Sequence, residues 1–236
     1  VAVCGRNIDK LYLLQKTFAG KPFITYAADV SNENECAGFI SETVKVFGGI
    51  DVLINNAGIS MRALFAETNL DTLRKVMEIN FWGTVYCTKH ALPYIQKSQG
   101  TVVAVSSVAG FRGLPGRTGY SASKFAVNGF MESLRTEMRD TGVNIMWVCP
   151  GYTASNIRNA ALTKDVTPQG TSMMDEEKMM TAEECARHIL TAIEKNKRSP
   201  VFTFKDRLTV FLNHNFPSLA DKLTKKFFYK NGELIK

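Results

Sequence analysis

The sequence predicts a single α/β domain built on a doubly wound parallel sheet. Short apolar strand patterns alternate with helical patterns from residue 1 to about residue 204, which is the order of elements that such a sheet requires. The strand pattern at Val52–Ile54 is apolar at every position, as expected for a strand covered on both faces. Small and polar residues follow the strands, where an open parallel sheet places its ligand crevice.

The first half of the chain is predicted to supply three strands and the helices between them. The strands are Val1–Cys4, Phe23–Ala28 and Val52–Ile54. Asn7 is expected to cap the helix after the first strand, and Ser31 the helix after the second. Short polar side chains favour these positions because they accept hydrogen bonds from the first free amides of a helix.

The second half continues the alternation. Its predicted elements are a helix from about Leu73 to Gln99, a strand at Thr101–Val105, a helix from about Tyr120 to Met138, a strand at Ile145–Val148, a helix opened by the capping box at Thr181–Glu184, and a strand at Val201–Phe204. We expect residues 1–204 to form the domain and residues 205–236 to form a basic, partly apolar extension.

The composition is that of a globular protein, with 45% hydrophobic and 22% charged residues. The five cysteines are scattered and form no C-x-x-C pair. This pattern argues against a disulfide framework or a zinc site and favours a reducing compartment such as the cytoplasm. We therefore expect no metal at the site and a cytoplasmic protein, with peripheral membrane contact left open.

The net charge of +7 comes from the end of the sequence. Residues 195–236 hold ten lysines and arginines and three acidic residues, so residues 1–194 hold nineteen of each sign. A nucleic-acid-binding protein usually carries its basic surface on the main domain, so we expect no nucleic-acid partner. Two interpretations of the basic extension stay open: a surface for membranes or acidic partners, or a solvated helix.

Small, polar or charged residues follow each of the first five predicted strands. These residues are Gly5 and Arg6, Asp29, Asn55–Gly58, Ser106 and Ser107, and Pro150 and Gly151. Turn formation accounts for single glycines and asparagines. It does not account for hydroxyls, amides and an arginine gathered at one edge, so the strand ends predict a binding site.

Tyr120 and Lys124 are four residues apart on a predicted helix and therefore share one face of it. The pKa of a free tyrosine is about 10, and a neighbouring ammonium lowers it by stabilising the phenolate. The pair predicts an acid/base group suited to proton exchange with an alcohol. On its own this spacing is more typical of an exposed helix pair, but here Ser107 precedes Tyr120 by thirteen residues.

Taken together, these motifs resemble the classical short-chain dehydrogenase/reductase family. The matching residues, in order and spacing, are Asn55-Asn56-Ala57-Gly58, Asn80, Ser107, Tyr120-Ser121-Ala122-Ser123-Lys124 and Pro150-Gly151. The resemblance extends from Val1 to about Phe204. It implies a Rossmann-type catalytic domain that interconverts a carbonyl and an alcohol by hydride transfer with a nicotinamide cofactor.

The resemblance also implies four catalytic residues. Tyr120 would donate the proton to the carbonyl during reduction, and Ser107 would bind and orient the substrate oxygen. Lys124 would hold the nicotinamide ribose and lower the pKa of Tyr120. Asn80 would hold a water that links Lys124 to solvent, although its side chain beside Gly83 also fits a kink in the helix.

The end of the first strand predicts NADP(H) as the cofactor. Enzymes of this architecture that use NAD place an acid there, where it accepts a hydrogen bond from the ribose 2′-hydroxyl. Here that position is Gly5, and Arg6 follows it. A cation without a carboxylate suits a 2′-phosphate, and Asn7 would add a side-chain contact. The alternative is that Arg6 is a solvated loop residue.

The remaining cofactor contacts follow from the resemblance. They are Asp29 and Val30 beside the adenine, Asn55, Asn56, Ala57 and Gly58 on its ribose side, and Pro150, Gly151 and Ser155 at the nicotinamide. Ser155 stands where the family has a threonine that contacts the carboxamide. Serine can make the same hydrogen bond less rigidly, because its side chain is not β-branched.

The family's Gly-rich phosphate loop is not among the 236 residues. In the complete family fold this loop belongs to a strand–helix unit that precedes Val1, and its strand lies between Val1–Cys4 and Val52–Ile54. We therefore expect the sequence to be part of a longer chain.

The resemblance is strongest to the hydroxysteroid-dehydrogenase-like branch, which implies a lipophilic ketone or alcohol as substrate. We expect the segment from Ser155 to Met180 to cover the crevice as a lid rich in apolar side chains. Those side chains are Ile157, Leu162, Met173, Met174, Met179 and Met180, with Met61, Phe111 and Leu114 as further apolar wall. Ordinary core packing is the alternative for the methionines.

The family also implies a homodimer or homotetramer assembled through the helices at about 70–99 and 120–138. Two other functions stay open. One is a protein that binds NADP(H) without turnover, and the other is a peripheral membrane protein that works through its basic extension.

Overall fold

We describe the protein from a computed structural model, which covers residues 1–171 and 179–235. The strands are β1 Ala2–Gly5, β2 Ile24–Ala27, β3 Val52–Asn55, β4 Thr101–Val105, β5 Asn144–Val148, β6 Tyr229–Lys230 and β7 Glu233–Leu234. The helices are α1 Ile8–Thr17, α2 Glu33–Phe47, α3 Leu70–Met77, α4 Gly83–Ser98, α5 Thr118–Glu137, α6 Ala182–Glu194, α7 Phe204–Asn215 and α8 Pro217–Phe228. A π-helical turn at Glu78–Trp82 joins α3 to α4.

The five long strands are parallel and form two groups. In one group β1 pairs with β2, and in the other β3, β4 and β5 pair in that order. Val201 extends the second group by a parallel bridge to Cys149. The predicted α/β fold with a parallel sheet is confirmed.

Helices cover both faces of the central strands, as the doubly wound prediction requires. Val102 and Ile145 pack in the cluster built mainly with α2, α4 and α5. Val103 and Met146, their immediate neighbours, pack in the cluster with α6. Alternate strand residues point to opposite faces, so both faces of β4 and β5 are dry. This explains the apolar runs in their sequences.

Three local predictions were wrong. Asn32, not Ser31, caps α2, because its side chain accepts from the amides of Asn34 and Glu35. The Ser31 hydroxyl instead donates to the Asp29 carboxylate at 2.7 Å. The helix predicted over 73–99 is interrupted by the π-helical turn.

The strand predicted at Val201–Phe204 reduces to the single bridge at Val201. Thr203 caps α7, which begins at the next residue, and its hydroxyl accepts from the amide of Asp206. The capping signature ends the strand, because a residue cannot be both helical and extended. The predicted caps at Asn7 and Thr181 are confirmed.

The extension folds back on the domain. Arg112 donates to Asn213 at 2.8 Å and pairs with Asp221 at 2.6 Å. Arg62 donates to the carbonyl oxygen of Leu234. The part of the chain that the structure describes contains no helix with both the length and the apolar character needed to cross a bilayer.

Candidate active site

The turn after β3 brings Asn56 and Gly58 to the carboxyl edge of the sheet. Asn55 at the strand end is held by its side-chain amide, which donates to the Thr88 hydroxyl of α4 at 3.0 Å. A Cβ at position 58 would lie 3.2 Å from the Asn80 side-chain oxygen and 3.6 Å from the Lys124 Nζ atom. Glycine therefore allows the backbone to pass close to both side chains.

Asn80 lies in the π-helical turn and is almost fully buried. Its side chain accepts from the amide of Ile59 at 2.8 Å and donates to the carbonyl of the same residue at 2.9 Å. It also donates to the Ser123 hydroxyl at 2.9 Å. Asn80 thus fixes the loop after β3 against α5, which positions both elements of the site.

The end of β4 supplies Ser107. Its hydroxyl accepts from the amide of Ala109 at 3.2 Å in a short 3-10 turn, which orients the side chain. The neighbouring Ser106 turns inward and donates to the Asn128 side chain of α5 at 2.6 Å. One serine therefore anchors the strand end, while Ser107 lines the cavity.

Helix α5 carries Tyr120 and Lys124, which are both buried. The Lys124 ammonium donates to the carbonyl oxygen of Val105 at 2.8 Å and lies 5.8 Å from the centre of the Tyr120 ring. Burial lowers the pKa of Lys124 to about 8. The predicted face shared by the two side chains is present, although it is buried.

The pKa of Tyr120 moves opposite to the sequence-based prediction. Burial, the largest cause, raises it above its usual value, while a hydrogen bond with Ser107 and the charge of Arg117 act in the lowering direction. The prediction that the pair has a lowered tyrosine pKa was wrong because it weighed the charge of Lys124 and left out desolvation. A raised pKa keeps the phenol protonated at neutral pH.

The turn after β5 closes the opposite side of the site. Pro150 and Gly151 line the cavity, and Asp206 of α7 lies against Gly151. A Cβ at position 151 would be 2.6 Å from an Asp206 carboxylate oxygen, so only glycine fits there. Burial raises the pKa of Asp206, whose carboxylate accepts a hydrogen bond from Thr203.

These strand ends enclose a cavity of about 570 Å³. The predicted site residues that line it are Asn56, Gly58, Ser107, Tyr120, Lys124, Pro150, Gly151 and Ser155. Of the predicted apolar wall, Leu114 and Ile157 line it as well. Met61 and Leu162 are instead packed together in the core beside Tyr120, and Met173 and Met174 lie outside the described residues.

The other predicted cofactor residues lie along the same sheet edge, outside this cavity. Arg6, directly after β1, pairs with Asp29 at 3.5 Å, and the Arg6 side chain is 57% exposed. Asn7 uses its side-chain oxygen to cap α1. Val30 packs so closely against Gly83 that a Cβ there would be 2.8 Å from its side chain.

The sequence analysis missed several cavity residues. They are Ser60, Arg117, Tyr152, Arg158 and Asp206. Arg117 precedes Tyr120 by three residues, so helical spacing was a usable signal for it. No spacing rule indicates Asp206, which reaches the cavity from the extension.

The model of the short chain dehydrogenase family matches residues 1–165. The chain belongs to this family. It is an oxidoreductase of the classical short-chain dehydrogenase/reductase type, on the hydroxysteroid-dehydrogenase-like branch.

Curated relatives support the placement in that branch. The chain is 35% identical over 228 residues to mouse dehydrogenase/reductase SDR family member 7B, covering 93% of this chain and 70% of the mouse protein. It is 42% identical over 181 residues to 11-beta-hydroxysteroid dehydrogenase A of Arachis hypogaea, covering 75% of this chain and 51% of the plant protein.

Solved structures of family members share the fold. A short chain dehydrogenase/reductase from Burkholderia phymatum in complex with NAD matches with a TM-score of 0.82 and 22% identity, covering 92% of this chain and 85% of the other. An alcohol dehydrogenase from Thermococcus sibiricus complexed with 5-hydroxy-NADP matches with a TM-score of 0.71 and 18% identity, covering 85% and 84%.

Proposed function

We propose that the protein is an NADP(H)-dependent oxidoreductase that interconverts a lipophilic ketone and its alcohol. The observation that carries the proposal is the convergence of Ser107, Tyr120 and Lys124 on one cavity. A hydroxyl, a phenol and an ammonium together can orient a carbonyl oxygen and exchange a proton with it.

Tyr120 is proposed as the proton donor during reduction. Its raised pKa keeps the phenol protonated at neutral pH, which is the form that a donor needs. The interaction of Tyr120 with Ser107 places both hydroxyls toward the same substrate oxygen. The nicotinamide, when bound, supplies or accepts the hydride.

Lys124 is proposed to bind the ribose hydroxyls of the cofactor. It spends one donor on Val105, and the remaining N–H groups are available on the cavity side. Its ammonium lies beside Gly58, where the absence of a Cβ leaves room for a sugar. Asn80 fixes this arrangement from behind, and we propose that it also holds the water that connects Lys124 with solvent.

NADP(H) is the cofactor that the edge of β1 favours. Arg6 presents a cation at the position where enzymes of this architecture that use NAD carry an acid. The ion pair of Arg6 with Asp29 is solvent-exposed and therefore weak, so a 2′-phosphate can take over the guanidinium. Complexes of solved family members hold either NAD or an NADP derivative.

The apolar cavity wall favours a lipophilic substrate. Its apolar side chains come from four elements and include Val108, Leu114, Ile157, Ile189 and Leu190. Such a wall favours a hydrocarbon body by the hydrophobic effect and leaves orientation to the polar groups.

The test is oxidation of NADPH, followed at its absorbance, against a panel of ketones that spans aliphatic, aromatic and steroid carbonyls. We expect turnover of at least one lipophilic ketone and its loss in the Tyr120→Phe variant. Cofactor binding without turnover of any ketone would instead favour the non-catalytic alternative.

We also propose peripheral contact with anionic membranes through the extension. Exposed apolar side chains recur at helical spacing on α7 and α8: Phe204, Leu208, Phe211, Phe216, Leu219 and Leu223. Lysines on the same helices suit anionic lipid headgroups. The division of the chain at residue 204 stays a prediction, and localisation in the cytoplasm is part of the proposal.

Self-association through α4 and α5 is proposed as well. Trp82 stacks on Tyr86 with ring centres 5.7 Å apart, and Phe81 meets Phe130 of α5 edge-on at 6.3 Å. Trp82 and Phe125 remain exposed. A symmetric dimer would bury this aromatic patch once on each subunit.

A further inference from the structure

The cavity contains an arginine whose charge no described residue neutralises. Arg117 lines the cavity one helical turn before Tyr120. Its Nε atom is buried without a hydrogen-bond partner, and its guanidinium makes no ion pair with any residue in the ranges 1–171 and 179–235. Burial lowers the pKa of Arg117, which reports the cost of removing this cation from water.

A second polar group in the cavity wall is also unsatisfied. Ser60 is only 3% exposed, and its hydroxyl has no hydrogen-bond partner among the described residues. It follows the loop fixed by Asn80 and lines the same cavity as Arg117. Buried hydroxyls are nearly always hydrogen-bonded in folded proteins, so an exception inside a ligand cavity points to a ligand atom.

The groups around Arg117 are neutral or cationic. Its nearest titratable neighbours are the phenols of Tyr120 and Tyr152 and the guanidinium groups of Arg62 and Arg158. Arg158 donates to the carbonyl of Thr153 at 2.9 Å. Asp206, the carboxylate in the cavity wall, lies against Gly151 and Thr203 instead.

We propose that this end of the cavity binds an anionic group of the substrate, a carboxylate or a phosphate monoester. Arg117 pairs with the anion and Ser60 donates a hydrogen bond to it, while the ketone lies at Ser107 and Tyr120. The inference rests on the proposed function and narrows its substrate class to lipophilic ketones and alcohols that carry a negative charge. Arg117 and Ser60 are specificity-determining residues in this arrangement.

The test compares matched pairs of ketones in the full chain. One pair is a medium-chain oxo fatty acid and its methyl ester, and the other is hydroxyacetone phosphate and hydroxyacetone. We expect kcat/KM to favour the charged member of at least one pair, which also identifies the anion. In Arg117→Met that preference should fall about ten- to a hundredfold, the usual effect of a charge-assisted hydrogen bond.

Further variants separate anion binding from other roles of Arg117. Arg117→Lys should keep part of the preference, and Ser60→Ala should weaken it without destabilising the fold. Arg139→Met, at an exposed position after α5, is the matched control and should leave it unchanged. Equal losses for acid and ester in Arg117→Met, with a shifted pH profile, would mean that Arg117 acts only on Tyr120 and would overturn the proposal.

Binding measurements keep this inference distinguishable from the proposed function. Calorimetric titration with the corresponding hydroxy fatty acid should give an affinity that falls in Arg117→Met. Arg117-dependent binding without turnover of any ketone would overturn the proposed function and retain the anion site. Turnover that is equal for acid and ester in the wild type and in Arg117→Met would do the reverse.

Discussion

Lys124 donates a hydrogen bond of 2.8 Å to the backbone carbonyl of Val105, the last residue of β4. This bond joins the helix that carries Tyr120 to the strand whose end carries Ser107. The spacing between these two side chains is thus fixed by the core rather than by a surface loop. Catalytic groups on rigid elements lose little orientation between substrate binding and reaction.

Tyr120→Phe keeps the ring and removes the proton. We expect cofactor binding to persist and kcat to fall by more than about a hundredfold, because general acid catalysis contributes about 10²–10⁴-fold. Steady-state kinetics and a cofactor titration check both parts. A variant that retains more than a tenth of the wild-type rate would rule out Tyr120 as the proton donor.

Burial of Lys124 predicts a specific pH dependence of stability. Its pKa is about 8 in the folded protein against a model value of 10.5, so the unfolded chain binds more protons between these values. Stability conferred at this site therefore rises with pH across that window. We expect Lys124→Met to raise the free energy of unfolding by about 2–3 kcal/mol at pH 7, after allowance for the lost hydrogen bond.

Urea unfolding of both proteins at several pH values measures this difference. The gain should shrink as the pH rises from about 8 toward 10, because the wild-type lysine then loses its charge. Other titrating groups cancel in the comparison of the two proteins. A difference that is constant over this pH range would contradict the lowered pKa.

Arg6→Ala should weaken NADPH binding more than NADH binding, since only NADPH carries the 2′-phosphate. A charge-assisted hydrogen bond accounts for about a ten- to hundredfold change in the preference. Asp29→Asn is the informative counterpart, because it removes the carboxylate that competes for Arg6. We expect it to maintain or increase the preference. Equal losses for both cofactors in Arg6→Ala would assign Arg6 a structural role.

The exposed aromatic patch on α4 and α5 predicts a dimer or tetramer in solution. Light scattering at micromolar concentration should show the oligomer for the wild type. Phe125→Glu, which places a charge on the patch, should give monomers without loss of folded structure, whereas Phe211→Glu on α7 should not. A wild type that is monomeric at this concentration would refute the assignment.

Membrane contact predicts salt-sensitive sedimentation with anionic vesicles. Each lysine near an anionic surface contributes about 1 kcal/mol, which salt screens. We expect Phe204→Ser combined with Phe211→Ser to weaken binding, since both side chains are exposed on α7. These substitutions are preferable to truncation, because Asp206 and Asp221 contact the domain. Absence of binding at low salt would leave the solvated-helix interpretation.

Strand order and the position of the site were predictable from the sequence because both follow from periodicity and from what succeeds each strand. Ser107, Tyr120, Lys124 and Gly151 accordingly meet at one cavity. Local competition between neighbouring polar residues was not predictable. Ser31 and Asn32 both suit a cap, and the outcome depended on Asp29 accepting from the serine.

The electrostatics of the site could not be read from spacing either. The pKa of Tyr120 depends on how deeply α5 is buried, and burial is a property of the whole fold. Arg117 carried a spacing signal, but its lack of a partner is visible only once the neighbouring elements are placed.

The π-helical turn at Glu78–Trp82 makes the length of this segment matter as much as its composition. Removing one residue there would restore regular α-helical bonding but rotate everything after it by about 100° relative to α3. The buried stripe of Cys87, Ala91 and Ile95 would then turn away from the core. Insertions and deletions in this stretch should therefore be far less tolerated than substitutions, and a deletion scan would show a sharp minimum in folded yield across these five positions.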